Sequence, residues 1–472
     1  MSSKEYDSAM ELLSNKQVFS EAGRAINYYS NYLIVAPYGK MPGWLIKAPL
    51  VLSGLENNVC TWYYVSKDGT EFDAALDTEL KNKVLVRIAK RISRMRKSIV
   101  KKLRATDYAS LSNQKLCALA KEYYDTYGNF VQLPAACRVV DRGIRRVLNE
   151  KILLTLSVTK DFSFITKETL ALLKLAQKVK SGKVSKKTIG LALEKIMKKY
   201  CFVTCGYFNE PARTFSEYEK MLAEMVLGNP KAKYVQIVSQ LNVDLAKRKE
   251  LVRTLGPREK KIADIASEVT LLKDYSKESY NEIIYNSEKM FEEIAKRTKK
   301  TPFFIKQLDP SETIDLLCNK KEFGDEVLKR AKNSIIFNNT FGISVILGEE
   351  VDLLQKQFLS HNKVTEFRGR VASKGFVTGS ARVVLTNDDF KKVKKGDILV
   401  VQNTNPGYVP LMNVAGGIVA EDGGITAHVS VTSREMGVPC VVGIVGVTKL
   451  IKDGDLIEVD AVKGIVKKIS KS

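Results

Sequence analysis

A change in hydrophobic periodicity near residues 359–365 constrains the fold of this chain more than any other feature. Before it, apolar residues recur every three or four positions, as in 80–103, and this spacing predicts amphipathic helices. After it come short runs rich in Val and Ile, separated by Gly, Asp and Asn, which predict short strands. The 472-residue chain is therefore expected to be multi-domain, with a mostly α N-terminal region and a C-terminal domain of mixed β and α structure.

The same pattern predicts four segments along the chain. They are a mainly helical domain that binds an acceptor or docks a partner (1–270), a helical segment leading to the C-terminal domain (271–358), a hinge linker (359–365) and the C-terminal domain (366–472). Aromatic residues among glycines and prolines near the N-terminus predict either a small hairpin or a capping segment: Trp44, Trp62, Tyr63 and Tyr64.

The formal charge of +23 raises nucleic acid or an acidic membrane surface as possible partners. Residues 81–104 contain eleven Lys or Arg and no acid. Because no aromatic side chains interleave these charges, we interpret them as a solvated helix face and do not expect nucleic acid as a partner. RNA binding through this face remains an alternative. The C-terminal domain carries only +4 of the total, so the remaining +19 could equally dock an acidic partner.

Several protein classes are disfavoured by composition. Seven cysteines without a CxxC pair argue against a disulfide framework or a zinc ribbon and fit a reducing cytoplasm. No leader-like start and no run of 18 apolar residues is present, so we expect a cytoplasmic protein without a membrane partner. Cys201 and Cys205 have apolar neighbours, which favours buried core over nucleophilic chemistry.

The segment that carries chemistry surrounds His428, one of only two histidines in the chain. It follows the apolar strand predicted at 417–420 and should begin a helix, where free backbone N–H groups and the dipole favour an anion such as a phosphoryl group. The same dipole favours a neutral imidazole, the form that can act as a nucleophile. Gly423 and Gly424 remove side chains from the approach path, and the Thr426 hydroxyl could hold the ring tautomer or contact a phosphoryl oxygen.

A lone histidine at a helix start is usually a capping or packing residue, so the conjunction of features matters more than the residue itself. The segment resembles the phosphohistidine, or mobile, domain of the phosphoenolpyruvate-utilising enzymes. It shares with that domain a strand, a glycine pair, a threonine, the histidine, a short helix and a Gly-x-Pro stop. That family includes phosphoenolpyruvate synthase, pyruvate phosphate dikinase, enzyme I of the sugar phosphotransferase system and rifampin phosphotransferase. The departures from its motif are small: Ala427 stands for the commoner serine and Ser433 for the commoner alanine.

The resemblance implies roles for individual residues. His428 falls on the phosphorylated histidine, with Thr426, Gly423 and Gly424 on the threonine and glycines of the motif. Arg434 and Glu435 match its R-E-x-G-x-P end and would support the phosphoryl group or its loop. Upstream, the Asp397-Ile398-Leu399-Val400 run resembles the family's D-I-L-V segment, whereas Gly407 stands where an acid is common.

The resemblance also implies the activity: a phosphotransferase of the synthase or dikinase kind that acts through a phosphohistidine intermediate. His428 would carry a phosphoryl group from a nucleotide-binding (ATP-grasp) partner to a small-molecule acceptor such as pyruvate or a hydroxyl compound. We find no Walker-type glycine loop and too few residues for an ATP-grasp domain, so no metal or cofactor is expected on this chain. ATP and Mg²⁺ would act through the partner, without which the component is incomplete. A regulatory or degenerate phosphocarrier without turnover is the alternative, and His361 is interpreted as a surface residue.

Overall fold

The computed structural model describes residues 17–21, 50–56, 59–66, 70–130, 132–182, 184–203, 205, 211–339, 342–359, 366–402, 404, 408–421, 428–444 and 446–469. The chain divides into two compact units. The helical unit comprises residues 27–48 and 69–327, and the sheet unit comprises 1–26, 49–68 and 328–472.

The helical unit is built mainly from amphipathic helices that bury their apolar faces against neighbouring helices. In the described ranges its helices are α1 (Thr70–Asn82), α2 (Val84–Ala105), α3 (Asn113–Phe130), α4 (Gln132–Val147), α5 (Glu150–Leu156), α6 (Phe164–Lys180), α7 (Lys186–Tyr200), α8 (Phe215–Leu227), α9 (Pro230–Arg253), α10 (Pro257–Thr298), α11 (Pro302–Ile305) and α12 (Pro310–Cys318). Helix α10, 42 residues long, packs against α2, α3 and α4. On α2 the predicted stripe is buried at Ile92, Ile99 and Leu103.

Side-chain caps define several of these helix starts. Thr214 and Glu217 form a reciprocal capping box at α8, and Asp309 and Glu312 form another at α12. Each box satisfies backbone N–H groups that the first turn leaves without partners. The capping residues therefore determine where α8 and α12 begin.

Cysteine usage departs from the sequence prediction at one pair. Cys117 on α3 and Cys318 at the end of α12 form a disulfide with a Cα–Cα distance of 6.8 Å. The two residues are 201 positions apart, and only the packing of α12 on α3 brings them together, so spacing along the chain gave no sign of the bond. Cys201 is buried in the core as expected, while Cys205 is half-buried, and burial raises its pKa to about 12.

The sheet unit contains a first, antiparallel sheet assembled from distant parts of the chain. Its strands are β1 (Gln17–Glu21), β2 (Leu50–Glu56), β3 (Val59–Ser66), β4 (Asn333–Asn339) and β5 (Gly342–Leu347), in the order β1-β3-β2-β4-β5. The β2–β3 pair matches the hairpin alternative for Trp62, Tyr63 and Tyr64, while Trp44 lies outside the described residues. Two strands, β4 and β5, fall in the 271–358 segment that the periodicity predicted as helical. Strand β4 pairs with β2, far away in the sequence, and β5 pairs with β4. Local periodicity cannot register the distant partner of β4.

A second sheet forms the C-terminal part of the same unit. Its strands are β6 (Glu366–Arg368), β7 (Arg370–Ser373), β8 (Phe376–Val384), β9 (Ile398–Val401), β10 (Gly417–Ala420), β11 (Cys440–Val442), β12 (Leu456–Asp460) and β13 (Ile465–Lys468). They lie in the order β6-β13-β12-β8-β9-β10-β11-β7, with β8, β9, β10 and β11 mutually parallel and the flanking pairs antiparallel. Described helices of this unit are α13 (Lys329–Lys332), α14 (Glu349–Leu359), α15 (Val409–Val414), α16 (His428–Met436) and α17 (Val447–Leu450). The predicted fold class, mostly α followed by mixed β and α, is confirmed.

The boundary between the compact units lies at residues 327 and 328, upstream of the predicted linker. Residues 360–365, which make up most of that linker and include His361, lie outside the described residues, so the hinge and the surface position of His361 stay predictions. Within the described ranges, no helix is both long enough and apolar enough to span a bilayer.

Candidate functional site

The candidate site lies at the carboxyl edge of the parallel strands. Strands β9, β10 and β11 end side by side at Val401, Ala420 and Val442, because their registers pair these ends directly. In parallel α/β sheets, ligands bind at this edge, where the loops that follow the strands converge. The segment that leads to His428 leaves from the middle of the three strands.

Glu421 anchors the start of that segment. Its side chain is buried directly after β10, and its backbone N–H donates to the Val401 carbonyl at 3.0 Å. Its Oε1 accepts hydrogen bonds from the Thr448 N–H at 2.8 Å and from the Thr448 hydroxyl. The chain is thus tied to β9 and to α17 at the residue before the predicted phosphate-binding loop.

His428 is the first residue of α16, as the sequence predicts for a histidine in the first turn of a helix. The helix is seated on the domain by Val429, Ser430 and Ser433, all fully buried. Gly423, Gly424 and Thr426 lie outside the described residues, as does the rest of 422–427. The backbone of His428 is therefore fixed at a helix start, where N–H groups without intrahelical partners attract anions.

The predicted supporting residues Arg434 and Glu435 lie in the last turn of α16. They are about 9 Å or more along the axis from His428, at 1.5 Å per residue. The Arg434 guanidinium donates to the Ala372 carbonyl on β7 at 3.1 Å, and Glu435 is exposed. Arg434 therefore fastens the far end of the helix to the edge strand.

The end of α16 follows the predicted stop. Gly437 adopts a left-handed conformation with φ of 69°, and the Val438 N–H donates to the Ser433 carbonyl at 3.0 Å. The Pro439 carbonyl then accepts from the Ile418 N–H at 2.8 Å and begins the pairing of β11 with β10. The Gly-x-Pro signal thus returns the chain to the sheet next to the strand it left.

The D-I-L-V segment, residues 397–400, stabilises the sheet through the hydrogen bonds of Asp397 and the burial of β9. Asp397 precedes β9, and its Oδ2 accepts from Arg382 Nε at 3.0 Å and from the Lys394 N–H at 2.8 Å. The fully buried β9 follows, and Thr404, beyond its carboxyl end, is buried as well. Asn403, Asn405, Pro406 and Gly407 lie outside the described residues.

Cys440 is the first residue of β11 and lies at the end of the strand opposite the carboxyl edge. Burial raises the pKa of the Cys440 thiol to about 12, so the thiolate, the reactive form, is scarce at neutral pH. Among the described residues, no three His, Cys, Asp or Glu side chains cluster as a metal ion would require. The backbone arrangement around His428 suits an anion held by N–H groups.

Glu421 and Thr448 are the contributors that sequence reasoning missed. The available signal was an acid placed directly between an all-apolar strand and a glycine pair, since a carboxylate at such a position must find donors when it is buried. Its partner on α17, 27 residues away, leaves no comparable mark in the sequence.

Known proteins are similar to the part of this chain that contains the candidate site. The family model for "PEP-utilising enzyme, mobile domain" matches residues 393–464. A phosphoenolpyruvate synthase of Aeropyrum pernix is 46% identical over 100 residues, which are 21% of this chain and 12% of that enzyme. A rifampicin phosphotransferase of Bacillus cereus is 34% identical over 149 residues, 31% of this chain and 17% of that enzyme. The resemblance is thereby confirmed for the C-terminal domain, and the chain spans less than a fifth of the length of these relatives.

Among solved structures, the crystal structure of Thermococcus kodakaraensis aconitase X in its holo-form matches 22% of this chain and 98% of its own, at 20% identity. Its TM-score of 0.18 is too low to support a structural argument.

Proposed function

We propose that this chain is a phosphotransferase component that carries a phosphoryl group on His428. The observation that carries the proposal is the position of His428 within the matched mobile-domain segment, as the first residue of a helix at the carboxyl edge of parallel strands. The named activities of the two partial relatives, phosphoenolpyruvate synthesis and phosphotransfer to rifampicin, support a phosphoryl-transfer reaction.

The chemistry consists of two displacements at phosphorus. In the first, a lone pair on a neutral imidazole nitrogen of His428 forms a P–N bond while the P–O bond to the donor breaks, and the donor leaves with that electron pair. In the second, an acceptor oxygen forms a P–O bond, the P–N bond breaks, and the acceptor's proton goes to a base. The helix start stabilises the charge on the phosphoryl oxygens and favours the neutral imidazole that attacks in the first displacement.

The surrounding residues have distinct parts in this proposal. Gly423 and Gly424 let the backbone approach the phosphoryl group, and Thr426 orients the ring or contacts an oxygen. Glu421 positions the start of the loop through Val401 and Thr448. Arg434 and Glu435 lie at the far end of α16, and Arg434 holds that end to β7 through its bond to the Ala372 carbonyl.

A separate ATP-grasp protein or domain would supply the phosphoryl group from ATP with Mg²⁺. The acceptor would be a small molecule such as pyruvate or a hydroxyl compound. The segment 359–365 would act as the hinge that lets His428 visit the two reaction centres in turn.

The test is phosphorylation of the full chain in an extract of its native cells. ATP labelled with ³²P at the β or γ position, and labelled phosphoenolpyruvate, are supplied in separate reactions. We expect label that is stable in alkali and lost in acid, as a phosphoramidate behaves. It should be absent in His428→Ala and retained in His361→Ala, which removes the other histidine as a matched control.

Discharge of the labelled protein separates the proposed function from its alternative. Release of label to pyruvate or to an extract metabolite supports a transferase. Stable label that no acceptor removes would instead make the chain a regulatory phosphocarrier. Label that persists in His428→Ala would contradict both.

A further inference from the structure

Helix α2 presents a row of exposed cations along one face. Lys90, Arg94, Lys97 and Lys101 are separated by four, three and four residues, the spacing that places side chains one above another on a helix. All four are exposed to solvent. We call them the cationic stripe.

The rest of the helix distinguishes the cationic stripe from an ordinary charged surface. Three of the other α2 cations pair with acids: Arg96 with Glu278 and Glu282, Arg104 with Glu282, and Lys102 with Glu122. Across the ranges that the structure describes, no acid pairs with a member of the stripe, whose one recorded bond joins Arg94 Nε to the Lys90 carbonyl at 3.5 Å. Four positive charges on one line therefore have no acidic partner in the described part of the chain.

Part of the cationic stripe faces a cleft between α2 and α10. Lys97 and Lys101 line this cleft of about 750 Å³, and Glu278 and Glu282 lie on its α10 side. Those two acids accept hydrogen bonds from Arg96 and Arg104 at 2.6–2.9 Å. Because the acids are already neutralised, they do not cancel the charge of the two lysines.

The spacing of the cationic stripe suits a phosphate backbone. From Lys90 to Lys101 the helix rises about 16 Å, at 1.5 Å per residue. A double helix carries one phosphate charge about every 1.7 Å of its axis when both strands are counted, and each strand winds around that axis. Four cations spread over about 16 Å therefore meet a dense array of phosphates from both strands, without following a single strand.

The remaining faces of α2 argue against other anionic partners. A membrane-surface helix needs an exposed apolar face, but that face of α2 is buried in the helical unit at Ile92, Ile99 and Leu103. A protein interface has an exposed apolar or aromatic centre, whereas in the cleft beside the cationic stripe Val100 is buried and the Arg96 guanidinium lies over the Tyr275 ring. Stacking on aromatic side chains serves single strands, whereas a duplex is held through its phosphates without them. The lack of interleaved aromatic side chains on α2 therefore disfavours single strands only.

We propose that the cationic stripe binds the phosphate backbone of double-helical nucleic acid without reading its sequence. This surface belongs to the helical unit and does not depend on phosphorylation of His428. Binding is driven by release of counterions, so its signature is a steep dependence on salt.

The test is fluorescence anisotropy of the full chain with labelled 20-base-pair duplexes of arbitrary sequence, one of DNA and one of RNA, between 50 and 200 mM salt. Four phosphate contacts predict a slope of log K against log salt of about −3.6 for duplex DNA, or roughly 150-fold weaker binding at the higher salt. The stripe variant changes all four residues to Gln: Lys90→Gln, Arg94→Gln, Lys97→Gln and Lys101→Gln. Loss of about four phosphate contacts should bring its slope of log K against log salt to near zero.

A matched control removes four exposed lysines from α9: Lys231, Lys233, Lys247 and Lys249, each changed to Gln. It loses the same net charge and should keep most of the slope. Equal loss in both variants, or an unchanged slope in the stripe variant, overturns the proposal. Tighter binding to poly-glutamate or to phosphatidylserine vesicles than to either duplex, at equal salt, also overturns it and assigns the stripe to an acidic protein or a membrane. Should the fourfold variant misfold by circular dichroism, Lys97→Gln with Lys101→Gln is used, and half the slope must be lost.

Discussion

Replacing Glu421 by Ala should loosen the connection between the carboxyl end of β10 and α17. The substitution leaves the Thr448 N–H and hydroxyl, both buried with their residue, without their carboxylate acceptor. A hydrogen bond to a charged group contributes about 1.5–3 kcal/mol, and the hydroxyl can turn toward another acceptor whereas the N–H cannot. We therefore expect a local loss of about 2–4 kcal/mol.

Hydrogen–deuterium exchange with mass spectrometry measures this loss where it occurs. Amides of Leu450 and Ile451, which donate to Gly446 and Val447 across α17, should exchange about 30- to 900-fold faster in Glu421→Ala. Glu421→Gln keeps an acceptor oxygen and should cost about 1 kcal/mol. Phosphorylation of His428 should be slowest in Glu421→Ala and intermediate in Glu421→Gln, because the loop before His428 starts from Glu421.

Glu458→Ala is the matched control, since it removes a partly exposed acid from β12 in the same sheet. Unchanged exchange across 446–451 in Glu421→Ala would refute the reasoning. So would an equal acceleration in the Glu458 variant, because the effect would then be general to the domain.

Three further predictions concern stability. Burial raises the pKa of Asp141, but Lys273 and Arg145 outweigh burial and hold that pKa at about 2, below its unfolded value. The carboxylate therefore stabilises the helical unit above the unfolded pKa, and about 2 kcal/mol should be lost as the pH falls from about 5 to 2. Asp141→Asn should flatten that part of a pH-dependent thermal melt, and an identical pH profile would contradict the assignment. Reduction of the Cys117–Cys318 disulfide should lower the stability of the helical unit by about 2–4 kcal/mol; non-reducing peptide mapping that finds both thiols free would refute the bond. Gly417→Ala would place a Cβ 2.6 Å from Val377 Cγ1 and should cost about 1–3 kcal/mol in calorimetry, whereas Gly190→Ala, in open space on α7, should stabilise by about 0.5–1 kcal/mol.

Local signals in the sequence predict those elements that are stabilised mainly by their own residues. The structure contains four features that the local pattern predicts. They are the apolar stripe of α2, the strand at 417–420, the start of α16 at His428 and its end at Gly437. Each depends on periodicity, a helix start or a positive-φ glycine, which are properties of a short stretch of chain.

Features that need a distant partner are missed. Strand β4 pairs with the distant strand β2, and the Cys117–Cys318 bond depends on the packing of α12 on α3. The Glu421 carboxylate accepts from Thr448, 27 residues away, and the charge of the cationic stripe stands out only once the partners of Arg96 and Arg104 are known. In each case the deciding contact joins residues that local sequence patterns cannot connect.

The central claim is that His428 carries the phosphoryl group. The most direct measurement is electron-transfer fragmentation mass spectrometry, at neutral pH and low temperature, of the full chain after incubation with native extract and ATP or phosphoenolpyruvate. We predict one phosphoryl group on His428 that disappears on brief acid treatment. Phosphate on a serine, threonine or other side chain with His428 unmodified would contradict the account.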